Sequence, residues 1–222
     1  MIEVKMRLIN HEYISYLALI APIFCAAIAL RGGRWVLRCG VDITCIIIIA
    51  AFGADVPGSW ILTAALIISM AGDFMLCHRE SSNQRFVYGI ILFLAAHVLY
   101  LVFCCINGSV NWAVFVVLLA GYGILYIRLL LPAIESKPLA AAAAGYLLIS
   151  CLSMGAAAGL GLTRPAAWLF AIGIASLVFS DSLIAVREFL NKGLFLHRYI
   201  MMPTYYASHI LITAAIVSAA IN

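Results

Sequence analysis

Two aspartates stand out because each lies inside a long apolar stretch of the chain. Asp73 occurs in "SMAGDFMLC" and Asp181 in "IASLVFSDSLIAV". An ionised carboxylate at the centre of a bilayer costs roughly 2.5–3.5 kcal/mol on insertion scales, so such residues are rare and are functional by default. Two neighbouring buried carboxyl groups can divide the roles of acid and of base or charge stabiliser. We therefore predict that Asp73 and Asp181 meet in one apolar pocket.

Further polar residues occur in other apolar segments. His97 lies near the middle of one segment, while Tyr205 and His209 are four residues apart and so share one helical face. The two histidines are candidate proton relays or water-positioning groups, and Tyr205 is a candidate hydrogen-bond partner. Alternatively, each is a packing residue whose polar atoms are satisfied locally. For Asp42 this local interpretation is favoured, because Arg38 one turn earlier could form an i, i+4 ion pair with it.

The composition identifies the elements that must position these residues. Of 222 residues, 66% are hydrophobic and 10% are charged, whereas soluble domains have about 45–50% apolar and about 25% charged residues. The chain is therefore predicted to be an all-α, polytopic membrane protein with a single membrane domain over residues 1–222. A membrane helix needs about 20 mostly apolar residues. Counting such runs predicts eight spans, at 13–30, 36–53, 59–77, 86–106, 111–131, 138–159, 165–187 and 199–221.

The distribution of basic residues predicts the topology. Most lysines and arginines fall in the loops after the first, third, fifth and seventh spans, whereas the opposite side holds only Lys5, Arg7 and Arg164. The positive-inside rule then puts both termini on the non-cytoplasmic side, in a membrane that we expect to be a bacterial inner (plasma) membrane. In this topology the polar residues all fall between the cytoplasmic end and the midplane, which is where a cavity open to the cytoplasmic leaflet would need them.

The net charge and the cysteine positions indicate which classes of partner and cofactor are not expected. The formal net charge of +4 is explained by the basic loops, so no nucleic-acid partner is expected. The seven cysteines are scattered through apolar segments without a CxxC pair, which argues against a zinc site or a disulfide framework. We expect neither a metal nor a cofactor, and the predicted partners are the lipid bilayer and a lipid substrate.

Four motifs follow one another along the chain. They are "AGDFML" at 71–76, "FVYGIILFLAAHVLY" at 86–100, "FSDSLIAVREF" at 179–189 and "YYASHILI" at 205–212. Their order and spacing resemble the YhhN-like family of lysoplasmalogenases, which are eight-helix membrane hydrolases. The resemblance implies cleavage of the vinyl-ether bond of a lysoplasmalogen, a single-chain ether phospholipid. The products would be a fatty aldehyde and a glycerophosphoethanolamine or glycerophosphocholine.

The resemblance also implies roles for residues within and near these motifs. The catalytic candidates are Asp73, Asp181 and His97, and the substrate-binding candidates are Tyr205, His209, Arg38, Tyr100 and Ser180. Two positions depart from the family pattern. His209 stands where the family usually has Gln, and Arg38-Cys39 stands where it usually has Lys-Pro.

The implied chemistry fits a buried pair of carboxyl groups. Vinyl-ether hydrolysis begins with protonation of a carbon, and a second carboxylate can stabilise the resulting oxocarbenium ion, as in glycosidases. Membrane Asp and His residues are equally typical of a proton-coupled transporter of lipids or small molecules, and a lipid-binding protein without turnover is a third alternative. The clustering of polar residues in one half of the membrane favours the hydrolase.

Overall fold

The computed structural model describes residues 13–31, 35–78, 83–134, 136–190 and 197–221, with the side chains of 35–38, 83, 197–198 and 221 left out. Within these ranges the protein is all-α, with eight helices and no strand. They are α1 (Tyr13–Leu30), α2 (Trp35–Phe52), α3 (Ser59–Cys77), α4 (Asn83–Asn107), α5 (Trp112–Leu125), α6 (Lys137–Thr163), α7 (Trp168–Leu190) and α8 (Met202–Ile221).

Each predicted span corresponds to one of these helices. Seven of the described helices are long and apolar enough to cross a membrane, and the described apolar part of α2, Cys39–Phe52, is shorter. The predicted fold class is therefore confirmed. The placement of both termini outside the cytoplasm stays a prediction.

Two helix ends depart from α-helical geometry. After α5 the chain continues as a π-helical turn, Tyr126–Leu130, and a 3-10 turn, Leu131–Ala133. Pro132 lacks a backbone N–H and clashes with the preceding turn, so it stops the regular helix here. A second π turn, His197–Met201, leads into α8. π turns are rare and often occur at functional sites, and the first of these lines the groove described below.

Six helices close into a ring. Contacts run from α2 to α3, from α3 to α4, from α4 to α6, from α6 to α7, from α7 to α8 and from α8 back to α2. Helix α1 packs outside this ring against α2 and α8, and α5 packs outside it against α6. No residue of α5 is buried among those described. The polar side chains of the ring helices therefore face one another in a shared interior.

Small residues allow α6 to approach the start of α5 closely. The segment "GAAAG" includes Gly155 and Gly159, and a Cβ added at Gly159 would lie 1.9 Å from the backbone oxygen of Ser109. The backbone N–H of Asn111 donates to the carbonyl of Gly155 at 2.9 Å. The Asn111 side chain in turn caps α5 by accepting a hydrogen bond from the N–H of Val114 at 3.0 Å. The backbone of α6 can lie this close to the backbone at Ser109 because Gly159 has no side chain.

We expect Gly159→Ala to destabilise the fold strongly. The new methyl group would displace the backbone at Ser109, and overpacking of this kind costs about 1–3 kcal/mol or more. The matched control is Gly123→Ala, because a Cβ there would meet nothing within 4 Å. Thermal unfolding in detergent, followed by circular dichroism, should show a lower Tm for Gly159→Ala than for Gly123→Ala. Equal Tm values would contradict the close approach.

Candidate active site

Three ring helices converge on the carboxylate of Asp181. This side chain on α7 is 8% exposed. Its Oδ2 atom accepts a hydrogen bond from the Tyr146 hydroxyl of α6 at 2.6 Å and lies 2.9 Å from Nε2 of His97 on α4. A buried carboxylate needs such partners, because an unpaired charge in an apolar interior costs several kcal/mol. We call Asp181, His97 and Tyr146 the groove cluster.

The hydrogen bonds of the groove cluster leave two of its atoms open. When Asp181 is ionised, His97 donates from Nε2, so Nδ1 of the neutral ring is an acceptor. Among the described residues, neither His97 Nδ1 nor Asp181 Oδ1 has a hydrogen-bond partner. The backbone carbonyl of His97 is held by the Ser153 hydroxyl at 2.9 Å, which ties α4 to α6. Both atoms are buried, so a bound molecule could reach them only if the surrounding side chains moved.

Asp181 lies in the wall of an apolar groove of about 190 Å³ between α4, α5, α6 and α7. Along α6 the lining runs from Leu139 to Cys151, which is about 18 Å at about 1.5 Å per residue. This is close to the depth of one leaflet, since the hydrocarbon core measures about 30 Å. The outer wall is formed by the end of α5 and its π turn, Tyr126–Leu130. Size and lining suit a single hydrocarbon chain.

A second group of polar residues lies between α2, α3 and α8. His209 Nδ1 forms a short hydrogen bond with Oδ1 of Asp42, and both side chains are 0% exposed. The rings of His209 and Tyr205 lie one helical turn apart on α8, with centroids separated by 4.4 Å. The Tyr205 hydroxyl lies within electrostatic range of the carboxylate of Asp73, without a hydrogen-bond partner among the described residues. We call Asp42, His209, Tyr205 and Asp73 the second cluster; the first three are buried, whereas Asp73 is half-buried.

Phe93 stands between the two clusters. It lines the groove and packs edge-on against Tyr205, with ring centroids 6.1 Å apart. On α3, a Cβ added at Gly72 would lie 3.0 Å from this ring. Asp73 is absent from the described residues that line the groove, although Leu76 one turn later belongs to them. The predicted pair is therefore divided, with Asp181 in the wall of the groove and the half-buried Asp73 in the second cluster, on the other side of Phe93.

The remaining candidates take different places. Tyr100 is fully buried, lies 6.3 Å from the His97 ring between centroids, and is within electrostatic range of both Asp42 and Asp181, so it lies between the clusters. The Ser180 hydroxyl donates to the backbone oxygen of Met201 at 3.1 Å and so holds α7 to the π turn that leads into α8. The side chain of Arg38 lies outside the described residues. No three metal-ligating side chains cluster in the described part of the chain.

Two site residues were missed by sequence reasoning. Tyr146 precedes Ser150 and Ser153 at spacings of four and seven residues, a polar stripe on one face of the otherwise apolar α6 that could have indicated an inward side chain. Asp42 was interpreted through Arg38, but the structure pairs it with His209, which is 167 residues away in sequence. That pairing depends on which helices are neighbours, which spacing along α2 does not indicate.

Comparison with known proteins gives two matches. The YhhN family profile matches residues 33–216, a range that contains both clusters. Lysoplasmalogenase TMEM86B of Rattus norvegicus is 33% identical over 163 residues, which cover 72% of this chain and 64% of that protein. The match to this curated relative thus extends over less than two thirds of the relative's length. No solved structure matches the chain.

We predict that the cost of removing His97 depends on the charge of Asp181. In a Tyr146→Phe background, which avoids an orphaned hydroxyl, His97→Leu should destabilise the protein by about 3–5 kcal/mol because a buried carboxylate loses its partner. Adding Asp181→Leu should recover part of this loss. Ser182→Ala, which removes a hydroxyl bonded to its own helix at Val178, is the control. Free energies of unfolding in mixed micelles would measure these differences, and additive costs would contradict the pairing.

Proposed function

The chain belongs to the YhhN family, and from this premise we propose that it hydrolyses the vinyl-ether bond of lysoplasmalogens. The products would be a fatty aldehyde and a glycerophosphoethanolamine or glycerophosphocholine. One observation carries the proposal beyond family membership. A buried carboxylate, Asp181, is held by His97 and Tyr146 in the wall of an apolar groove about as deep as one leaflet. A single-chain lipid in this groove would have its hydrocarbon beside a titratable group.

We assign the groove to the hydrocarbon chain of the substrate. The vinyl ether would then lie level with Asp181, whose Oδ1 lacks a partner among the described residues. The surrounding apolar wall excludes bulk water, so proton transfers there depend on the few polar groups present. Phe93 would pack against the alkenyl ether and separate it from Asp73 until the ring rotates.

The first chemical step is transfer of a proton from a carboxyl group to the second carbon of the alkenyl chain. The electrons of the double bond form the new C–H bond, and the positive charge is shared by the first carbon and the ether oxygen. We propose Asp181 and Asp73 as the pair that supplies this proton and stabilises the oxocarbenium ion, which resembles the division of roles in glycosidases. A fixed negative charge close to the oxocarbenium ion would stabilise it and the transition state that leads to it.

Water completes the reaction. It attacks the first carbon and gives a proton to the carboxylate, forming a hemiacetal. The hemiacetal hydroxyl then loses a proton as the ether oxygen gains one, and the bond between the first carbon and that oxygen breaks. One water is consumed and both carboxyl groups return to their starting state. His97, bonded to Asp181, would carry protons between these steps, and Tyr146 would hold the carboxylate in place.

A second cavity favours a transporter as the alternative function. It has a volume of about 600 Å³ and lies at the opposite ends of the helices, lined by Asn107, Arg164 and Phe170 among others. The ring of Phe170 packs against Tyr100, with centroids 6.5 Å apart. An aromatic layer therefore separates this cavity from the buried polar residues. If this aromatic layer opened, the second cavity would connect to the polar residues and a path would cross the membrane. Proton-linked flux in liposomes without aldehyde release would support the transporter.

We predict that Asp181→Asn and Asp73→Asn each lower aldehyde release from a lysoplasmalogen by at least about 10²-fold, since proton transfer by a positioned group contributes about 10²–10⁴-fold. Asp55→Asn, which changes an exposed loop carboxylate, should leave the rate unchanged. In D₂O the aldehyde, trapped by immediate reduction, should carry one deuterium on its second carbon. Full activity of both variants, or an aldehyde without deuterium, would contradict the mechanism.

We also expect the groove to set the preferred chain length. Ala143 and Ala185 line it, so replacing either by Leu should narrow it. Each variant should lower kcat/KM for long alkenyl chains more than for short ones, because one misplaced methylene is worth about 1–3 kcal/mol in a shaped apolar pocket. Ala120→Leu on the exposed face of α5 is the matched control. Equal losses at every chain length would contradict tail binding in the groove.

A further inference from the structure

One pair of buried titratable groups has no part in the chemistry above. Asp42 and His209 come from α2 and α8 and are 0% exposed. Their short hydrogen bond joins Oδ1 of Asp42 to Nδ1 of His209. Neither residue lines the groove among the described residues, so the pair does not contact a lipid tail bound there. A buried ion pair is weak evidence for stability, because desolvation of both charges offsets their attraction. The pair therefore invites a functional explanation.

A continuous series of contacts runs from this pair towards the groove. The His209 ring lies 4.4 Å from the Tyr205 ring between centroids, and Tyr205 packs edge-on against Phe93 in the groove wall. The hydroxyl of Tyr205 lies within electrostatic range of the Asp73 carboxylate and has no hydrogen-bond partner among the described residues. Tyr205 thus packs against the ring that lines the groove and lies close enough to the second carboxyl group to act on its charge.

We propose that Asp42 and His209 form a positioning pair that holds Tyr205, and through Tyr205 orients the Asp73 carboxyl group towards the groove. This inference rests on the proposed function, because it gives Asp73 a role in the reaction. The hydrogen bond to Asp42 fixes both the tautomer and the plane of the His209 ring. Since the Tyr205 ring packs against the His209 ring at an interplanar angle of 58°, the orientation of His209 limits the direction of the Tyr205 hydroxyl. Neither Asp42 nor His209 contacts the substrate in this arrangement.

The surroundings of the pair define which other groups could respond to pH. The titratable side chains that interact electrostatically with Asp42, Tyr205 or their neighbours are Cys39 and Cys45 on α2, Asp73 and Cys77 on α3, Tyr100 on α4, Asp181 on α7 and Cys25 on α1. A changed pH profile in a variant of the pair is assigned to Asp73 by measuring the same variant in an Asp73→Asn background, where the change should disappear.

The test compares two replacements of His209. His209→Leu removes the hydrogen bond to Asp42 and should lower kcat by about 100-fold with KM little changed, because small misplacements of a reacting group cost about this much. His209→Gln keeps an N–H donor for Asp42 and should retain most of kcat. Asp42→Asn should lower kcat and displace the acid limb of the pH profile. Thr213→Val, which loses a hydroxyl bonded to the backbone of His209, should leave kcat and the profile unchanged.

A double-mutant test with Asp73 distinguishes a positioning role of His209 from a general contribution to the stability of the fold. In an Asp73→Asn background, His209→Leu should cause little further loss, because residues that act as a unit are strongly non-additive. Independent, multiplicative losses would overturn the proposal. So would a fall in stability alone, or a loss in His209→Gln equal to that in His209→Leu.

A second readout needs no turnover and keeps the two proposals distinguishable. With ¹³C-labelled aspartate, the NMR titration of the Asp73 carboxyl carbon should change in His209→Leu and Asp42→Asn, but not in His209→Gln or Thr213→Val. If wild-type protein released no aldehyde from any lysolipid yet the titration changed in this way, the positioning pair would stand and the proposed reaction would fall. An unchanged titration in all four variants would overturn the positioning pair.

Discussion

The cost of burying a charge among membrane helices is the main constraint on this structure. Each carboxylate inside the helix ring must take its hydrogen bonds from another helix, because an unsatisfied charge there is far more costly than at a surface. Asp181 takes them from α4 and α6, and Asp42 takes one from α8. These bonds join helices that are distant in sequence, so the polar residues help to determine which helices become neighbours.

The same bonds prepare the chemistry. Two donors fall on one oxygen of Asp181, and its other oxygen has no partner among the described residues, in the wall of an apolar groove. A carboxyl group held in this way has a fixed direction, so the proposed substrate would have to approach it in one orientation. Helix α5 completes the groove although it has no buried residue of its own among those described. The rigid ring thus fixes the polar atoms, while the least packed helix borders the lipid.

The sequence predicts the helices well because their length is imposed by the bilayer and shows directly in the apolar runs. It also indicates Asp73, Asp181 and His97, since polar residues are conspicuous in such runs. It does not indicate the hydrogen-bond partner of each polar side chain. The partner depends on the rotation of each helix about its axis and on which helices, often distant in sequence, lie next to it. Asp42 has a plausible cation one turn away, yet it bonds to His209. The sequence also does not indicate that Phe93 lies between Asp73 and Asp181, because Phe93 is one of many apolar residues in α4.

Two Asp–His pairs with different access suggest a division of labour. Both join a carboxylate to an imidazole from a distant helix, but His97 bonds through Nε2 and His209 through Nδ1. One pair borders the groove and the other is closed off by Tyr205 and Phe93. A pair that borders the groove can exchange protons with a bound molecule, whereas a closed pair must keep its protons and can act only through the positions of its neighbours. Access to the groove, rather than residue type, is therefore what distinguishes Asp181, proposed to react, from Asp42, proposed to position its neighbours.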